Sequence, residues 1–143
     1  MKNEMRMDFL AIPENEAFAR VAVGAFLLPL NPTLDEMEEI KTAVSEAVTN
    51  AIIHGYAGIE RGMVRLQAFL TENALFSVDI IDCGHGIADI EQARQPLYTS
   101  CPNLERSGMG FTVMESFTDR LDIRSEIGRG TTVHMEKQLG LHP

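Results

Sequence analysis

The sequence contains no tryptophan, only two cysteines and a small share of basic residues. Lys and Arg number 12 against 21 Asp and Glu, so the net charge is −9. Nucleic-acid binding depends on clustered Lys and Arg that neutralise phosphates, so the acidic balance argues against a direct nucleic-acid partner. It is compatible with a protein that binds a basic protein partner.

The amino-acid sequence also shows no metal-binding cluster and no membrane-spanning segment. Cys83 and Cys101 fit no metal-ligand spacing, and we interpret them as reduced thiols rather than as a disulfide. No apolar run approaches the roughly 20 residues that a membrane-spanning helix needs. The first residues, MKNEMRMDF, contain no apolar signal core, which predicts a cytoplasmic protein. The length of 143 residues predicts one domain over residues 1–143.

Hydrophobic periodicity predicts the element order β-α-α-β-β-α-β-β. A strand at 5–12 precedes an amphipathic helix at 14–30, and a capping-box signature at Thr33 and Glu36 opens a second helix that runs to about residue 54. A hairpin follows at 63–71 and 75–82, then a helix at 110–117 and strands at 120–125 and 131–138. We therefore predict a two-layer α/β sandwich, with a mostly antiparallel mixed sheet and its helices on one face. The apolar positions of the first helix are Ala17, Val21, Phe26 and Leu30.

The second predicted helix carries a polar stripe on an apolar segment. Glu46, Asn50 and His54 are spaced at i, i+4 and i+8, so they share one face. A solvated helix face would explain such a stripe. Because the flanking residues are apolar, however, a carboxylate and an amide at these positions need partners.

A second polar position is Asp82, at the end of a predicted strand. Its position in the alternation of the strand places its side chain on the core-facing side. The ordinary alternative is an Asp that forms a turn before glycine. Gly84 and Gly86 follow, and their backbone can approach a flat ligand closely. A buried carboxylate only accepts hydrogen bonds, so it suits the amino group of adenine and rejects the carbonyl of guanine. Thr131 turns its hydroxyl to the same side of the predicted sheet.

The segment between these strands, residues 83–107, has little regular periodicity. Such long loops are usually functional lids or disordered segments, and we predict a lid over about 83–110. The lid ends in glycines before a helix N-terminus, where backbone N–H groups and the helix dipole favour phosphate. This last run is Arg106, Ser107, Gly108, Met109 and Gly110.

Taken together, four motifs resemble the nucleotide boxes of the gyrase, Hsp90, histidine-kinase and MutL ATPase superfamily, with its Bergerat-type fold. They are Glu46-x-x-x-Asn50, Asp82-x-Gly84-x-Gly86, Gly108-x-Gly110 and Gly128-x-Gly130-Thr131. Within that superfamily, EAVTNAIIHGY at 46–56, ARQPLYT at 93–99 and LERSGMGF at 104–111 resemble the anti-sigma serine kinases of endospore-forming bacteria. The resemblance covers essentially the whole chain.

The resemblance implies a dimeric protein that binds ATP or ADP with Mg²⁺. It implies that such a protein holds a sporulation sigma factor and phosphorylates a serine of an anti-anti-sigma protein. By position, Glu46 is then the general base, Asn50 the magnesium ligand, and Asp82 with Thr131 the adenine site. Gly84, Gly86 and the run from Arg106 to Gly110 contribute to the nucleotide site, and Arg20 on the first helix to partner binding. Cys83 and His85 depart from the residues that are common inside the Asp82 box, so we expect altered lid contacts there.

Three other interpretations stay open at this level. A histidine-kinase catalytic domain normally follows a dimerising helix with a phosphoacceptor histidine, and only about thirteen residues precede the first predicted helix. A nucleotide-dependent sigma-binding module without phosphotransfer would have no use for Glu46 as a base. A structural domain with coincidental glycines would have to place four boxes in order by chance.

Overall fold

The computed structural model describes residues 2–95 and 110–140. Within them, a first strand and two helices precede a hairpin, a short helix, a further helix and a second hairpin. These are β1 (Asn3–Leu10), α1 (Glu14–Leu27), α2 (Leu34–Asn50), β2 (Met63–Leu70), β3 (Leu75–Asp82), α3 (Ile90–Ala93), α4 (Gly110–Phe117), β4 (Arg120–Glu126) and β5 (Gly130–Gln138). A 3-10 turn, Leu28–Leu30, follows α1, and a π-helical turn, Ala51–Gly55, follows α2.

The strands form one antiparallel sheet in the order β1-β2-β3-β5-β4. Alternate residues of β2 and β3 are buried, as their apolar-polar alternation predicts, so one face of the sheet is covered. Helix α2 packs against β3, and α1 and α4 pack against α2. The predicted two-layer sandwich is therefore confirmed, with every described strand pairing antiparallel.

The start of α2 follows directly from its sequence. The backbone N–H of Glu36 donates to Thr33 Oγ1 at 3.1 Å, and the N–H of Thr33 donates to Glu36 Oε1 at 2.8 Å. These reciprocal bonds satisfy two helix-terminal donors, and the predicted capping box is confirmed.

The apolar positions predicted for the first helix are confirmed only in part: Leu30 is buried and Phe26 packs against the core, whereas Ala17 is exposed. Val21 is 65% exposed, whereas Ala19, Val23 and Leu27 are fully buried. The helix carries apolar residues on two sides, so periodicity could not decide which side faces α2. Helix α1 also ends earlier than predicted, because the chain passes at Leu28 into a 3-10 turn that contains Pro29 and that the left-handed Asn31 (φ 50°) closes.

Two further elements differ from the sequence prediction. The backbone of α2 widens into a π-helical turn, a form often found at functional sites. Helix α3 is a single turn inside the predicted lid, begun by Asp89, whose Oδ1 accepts from the N–H of Gln92 at 3.0 Å. The rest of the predicted lid, from residue 96 to residue 109, lies outside the described residues.

Candidate functional site

Three neighbouring strands each end their core-facing row of apolar side chains in a polar residue. Asp82 ends the row of β3, Thr131 begins that of β5, and Ser125 ends that of β4. The strand register sets Asp82 opposite Thr131 and Thr131 opposite Ser125. The sheet thus brings a carboxylate and two hydroxyls together at one edge of the core.

Asp82 is the most buried acidic group described, with 7% of its surface exposed. Its Oδ1 accepts from the N–H of Gly84 at 3.0 Å, and the backbone N–H of Thr131 also donates to the carboxylate. Burial raises the pKa of Asp82, against the opposing effect of these two donors and of the nearby His85. A carboxylate held in such a place gains from any further donor that a ligand supplies.

Glycines let the end of α2 approach Asp82 this closely. A Cβ on Gly55 would lie 2.8 Å from Asp82 Cγ, and a Cβ on Gly84 would lie 1.7 Å from the carbonyl oxygen of Gly55. Both positions therefore require glycine, because any side chain would push the π-helical turn away from β3. The sequence predicted a role for Gly84, but it gave no reason to select Gly55.

The loop after Asp82 is fastened to the same turn by hydrogen bonds. The N–H of His85 donates to the carbonyl of Gly55 at 2.8 Å, and the N–H of Cys83 donates to Tyr56 Oη at 2.7 Å. The His85 ring donates through Nε2 to the carbonyl of Ala57 at 2.5 Å, while the thiol of Cys83 is exposed and free. His85 thus contacts the end of α2, and Cys101 lies outside the described residues.

A cavity of about 200 Å³ opens in front of Asp82. Its polar lining includes Asn50, Asp82 and Thr131, and its apolar walls include Ile80 and Val133. The lining also includes Gly86, Ile87, Asp89, Gln92, Gly110 and Phe111. The volume is below the roughly 300–1,000 Å³ of whole-ligand pockets, so it suits the base of a nucleotide better than the complete molecule.

The other end of the cavity meets the polar stripe of α2. A Cβ on Gly110 would lie 3.1 Å from Asn50 Nδ2 and 3.3 Å from Glu46 Oε2, so both side chains adjoin the first residue of α4. His54 also lines the cavity, although it belongs to the π-helical turn. Asn50 and His54 of the stripe therefore line the cavity, whereas Glu46 adjoins the start of α4.

The side chains at this end of the cavity could supply only part of the ligand shell of Mg²⁺. Oxygen ligands suit the ion, and the amide of Asn50 provides one beside the carboxylate of Glu46. Among residues 2–95 and 110–140, no group of three His, Cys, Asp or Glu side chains could hold a metal. An ion here would depend on phosphate oxygens and water for most of its shell.

Of the remaining predicted site residues, Arg20 lies apart from the cavity. Arg106, Ser107, Gly108 and Met109 fall outside the described residues. Arg20 lies on α1, 42% exposed, with its Nε 3.5 Å from Glu16 Oε1, and Glu16 also accepts a hydrogen bond from Ser45 of α2. Arg20 thus forms a surface ion pair with Glu16, and Glu16 in turn connects α1 to the residue before Glu46.

The fold and this cavity match one class of protein. The model of the family described as "Histidine kinase-like ATPase domain" matches residues 9–137. The chain therefore belongs to this family, whose fold binds nucleotide. Two solved structures under 25% identical share the fold: the RsbU and RsbW domains of a Mycobacterium tuberculosis protein (TM-score 0.71, 19% identity, 96% of this chain and 33% of that one) and the mycobacterial sensor histidine kinase MprB (TM-score 0.59, 15%, 96% and 100%).

Curated relatives narrow the assignment further. The chain is 57% identical over 139 residues to the anti-sigma F factor of Clostridium beijerinckii, which covers 97% of this chain and 96% of that protein. It is 58% identical over 139 residues to the anti-sigma F factor of Halalkalibacterium halodurans, with 97% and 94% covered. Within the ATPase family, the chain belongs with the anti-sigma F factors. Across the part of the chain that the structure describes, no helix has the length and apolarity to cross a membrane.

Proposed function

We propose that the chain is an ATP-dependent anti-sigma factor. It binds and inhibits a sporulation sigma factor, and it transfers phosphate from ATP to a serine of that factor's anti-anti-sigma protein. The observation that carries the proposal is one cavity lined by both a buried acceptor, Asp82, and Asn50, with Glu46 and Asn50 together beside the first residue of α4. The names of the relatives support the sigma-binding part, and the cavity chemistry supports the transfer.

The residues at the Asp82 end of the cavity favour adenine as the base that binds there. Asp82 offers only acceptors, so it pairs with an exocyclic amino group and repels a carbonyl oxygen in the same place. The apolar walls formed by Ile80, Ile87 and Val133 suit the faces of an aromatic ring. The acceptor selects ATP over GTP, and the apolar walls hold the purine ring.

The phosphate end supports phosphoryl transfer. Helix α4 begins at Gly110, so its N-terminal N–H groups and dipole favour an anion beside Glu46 and Asn50. Asn50 would hold Mg²⁺, which neutralises phosphate charge when it is bound. Gly108 and Met109 precede this terminus in sequence, and Arg106 would reach the terminal phosphate from the lid.

Glu46 takes the role of general base in this proposal. The partner's serine oxygen attacks the γ-phosphorus, its proton passes to the Glu46 carboxylate, and the bond from that phosphorus to the bridging oxygen of ADP breaks. Positioning and charge neutralisation carry most of such a reaction, and a base contributes about 10²–10⁴-fold.

Partner binding is assigned to α1. The helix exposes Arg20 together with Phe18 and Val21, and a planar guanidinium beside apolar surface is typical of interface hot spots. We assign the sigma factor and the anti-anti-sigma protein to this face, in a cytoplasmic homodimer that contacts neither nucleic acid nor membrane directly.

Reconstitution from purified components tests the proposal. With ATP and Mg²⁺, the protein should form a complex with the sigma factor on a native gel, and the added anti-anti-sigma protein should acquire phosphoserine. Sigma binding without any phosphoserine would favour the alternative of an ATP-dependent sigma-binding module, and a phosphohistidine would favour a histidine-kinase-like domain.

A further inference from the structure

A lysine lies where the core-facing row of β5 would otherwise continue with an apolar side chain. Val133 and Met135 belong to that row, and Lys137 is its next member. The Lys137 side chain is only 13% exposed. Its Nζ donates to Glu39 Oε2 at 2.7 Å and to the carbonyl oxygen of Phe117 at 3.1 Å. The largely buried ammonium is thus paired with a carboxylate and a backbone acceptor, as a charge in such a place requires.

The two partners of Lys137 belong to the two helices that meet at the phosphate end of the cavity. Glu39 lies in α2 seven residues before Glu46, so the two side chains share one face of that helix. Phe117 is the last residue of α4, and Gly110, which adjoins Glu46, is the first. Helix α4 therefore runs antiparallel to α2, with the Gly110 contact at one end and Lys137 at the other.

The spacing of these contacts is equal on the two helices. Each helix rises about 1.5 Å per residue, so Glu39 and Glu46 are about 10 Å apart along α2, and Gly110 and Phe117 are the same distance apart along α4. By joining Phe117 to Glu39, Lys137 sets the position of α4 along its own axis, which brings Gly110 level with Glu46. The ammonium also lies at the C-terminus of α4, where a cation interacts favourably with the helix dipole.

We propose that Lys137 is a positioning residue for phosphoryl transfer, which fixes the axial position of α4 and thereby holds the N–H groups of its N-terminus beside Glu46 and Asn50. This inference rests on the proposed function, since it assumes that these N–H groups bind phosphate. Lys137 lies outside the cavity and acts only through α4. A shift of about 1 Å at a reacting group can cost about 10²-fold in rate, so an anchor at the far end of an eight-residue helix is enough to affect transfer.

A comparison of ATP with adenosine separates positioning from a purely structural role. Lys137→Met keeps the apolar stem and removes the charge with both hydrogen bonds. At a temperature at which this variant is fully folded, calorimetric titration should show ATP affinity reduced by about three- to tenfold, the size of one net hydrogen bond. Adenosine affinity should change by less than about twofold, because adenosine has no phosphates for α4 to bind. Phosphoserine formation at saturating ATP should fall by about tenfold or more.

Glu39→Gln tests whether Lys137 acts through α2. This variant should show the same selective loss of ATP affinity, and it replaces Lys137→Met if that variant does not fold. Adding Glu39→Gln to Lys137→Met should slow transfer by less than about a further twofold, because both substitutions remove the same anchor.

Lys41→Met is the matched control. Lys41 also pairs with a glutamate of α2, Glu38, at 3.7 Å, but its side chain lies beside Gly24 of α1. This substitution should leave ATP affinity, adenosine affinity and transfer unchanged.

Equal losses of ATP and adenosine affinity in Lys137→Met would reduce the lysine to a structural role and overturn the proposal. Unchanged ATP affinity and transfer in that variant would overturn it as well, as would fully additive losses in the double variant. Absence of phosphoserine with the unmutated protein would instead overturn the proposed function, and the ratio of ATP to adenosine affinity would still test the anchor.

Discussion

The carboxylate of Asp82 lies directly against Gly55. A Cβ at Gly55 would be 2.8 Å from Asp82 Cγ and equally close to Oδ2, which real Cβ atoms do not tolerate. Gly55 closes the π-helical turn of α2, and Asp82 ends β3, so this contact joins the helix of the proposed phosphate end to the strand of the base end. The position of the carboxylate therefore depends on the absence of a single methyl group.

Gly55→Ala should consequently displace Asp82 and weaken ATP binding by at least tenfold while the protein stays folded. Gly24→Ala is the matched control, because its Cβ would meet only the flexible side chains of Lys41 at 3.4 Å and Met37 at 3.6 Å, and the change favours helix. Calorimetry with ATP measures both variants. Equal ATP affinity of Gly55→Ala and Gly24→Ala would show that the contact does not position Asp82.

Asp82→Asn should stabilise the nucleotide-free protein and weaken its binding of ATP. Burial raises the pKa of Asp82, so the folded state disfavours its charge, and folding stability falls as pH rises from the unfolded value of 3.8 through the raised folded value. Removing the charge should therefore raise the Tm of the nucleotide-free protein at neutral pH by a few degrees. ATP binding should weaken by about 1.5–3 kcal/mol, because a charge-assisted acceptor is lost. A lower Tm with unchanged ATP affinity would contradict both assignments.

The outer face of the sheet provides a pH test that is independent of the nucleotide. His134 Nδ1 lies 2.7 Å from Asp79 Oδ1 and Nε2 lies 2.7 Å from Glu136 Oε2. Burial by itself would lower the pKa of His134, but the two hydrogen bonds and charges outweigh it and raise the pKa above 6.5. Asp122 lies opposite on β4, where Arg120 pairs with it at 2.6 Å.

The protonated histidine stabilises the fold below pH 6.5, and this contribution is lost as pH rises through the folded pKa. Urea unfolding at several pH values should show that the free energy of unfolding of the unmutated protein falls over this pH range. In His134→Gln the free energy of unfolding should depend less on pH. Parallel profiles for the two proteins would mean that the histidine titrates alike in the folded and unfolded states.

Arg20→Glu should weaken binding of the sigma factor, and of the anti-anti-sigma protein, by more than tenfold. It reverses the charge on the exposed face of α1 and places two glutamates at i and i+4, whereas ATP affinity should be unchanged because Arg20 lies outside the cavity. Titration of each partner measures the effect. Glu14→Arg, a charge reversal of opposite sign in the first turn of the same helix, shows whether any charge change on α1 disturbs partner binding. Unaltered binding of both partners would remove α1 as the docking surface.

How far the sequence predicts this molecule can be read from particular residues. The alternation that leads to Asp82 and Thr131 predicted their common face, because strand parity is a local property that the sheet preserves. The same parity places Ser125 in line with Leu121 and Ile123, but a serine near a turn has too many ordinary explanations to be selected from sequence. The role of Gly55 could not be predicted, because it depends on the π-helical turn, which no sequence periodicity indicates. The buried face of α1 could not be predicted either, because it depends on where α2 packs.

Phosphoserine formation on the anti-anti-sigma protein, measured for the unmutated protein and for Glu46→Gln at saturating ATP, tests the central claim most directly. The account predicts phosphoserine with the unmutated protein and about 10²–10⁴-fold slower formation with Glu46→Gln, while calorimetry finds ATP affinity essentially unchanged. Near-normal transfer by Glu46→Gln, or no phosphoserine from the unmutated protein, would contradict it.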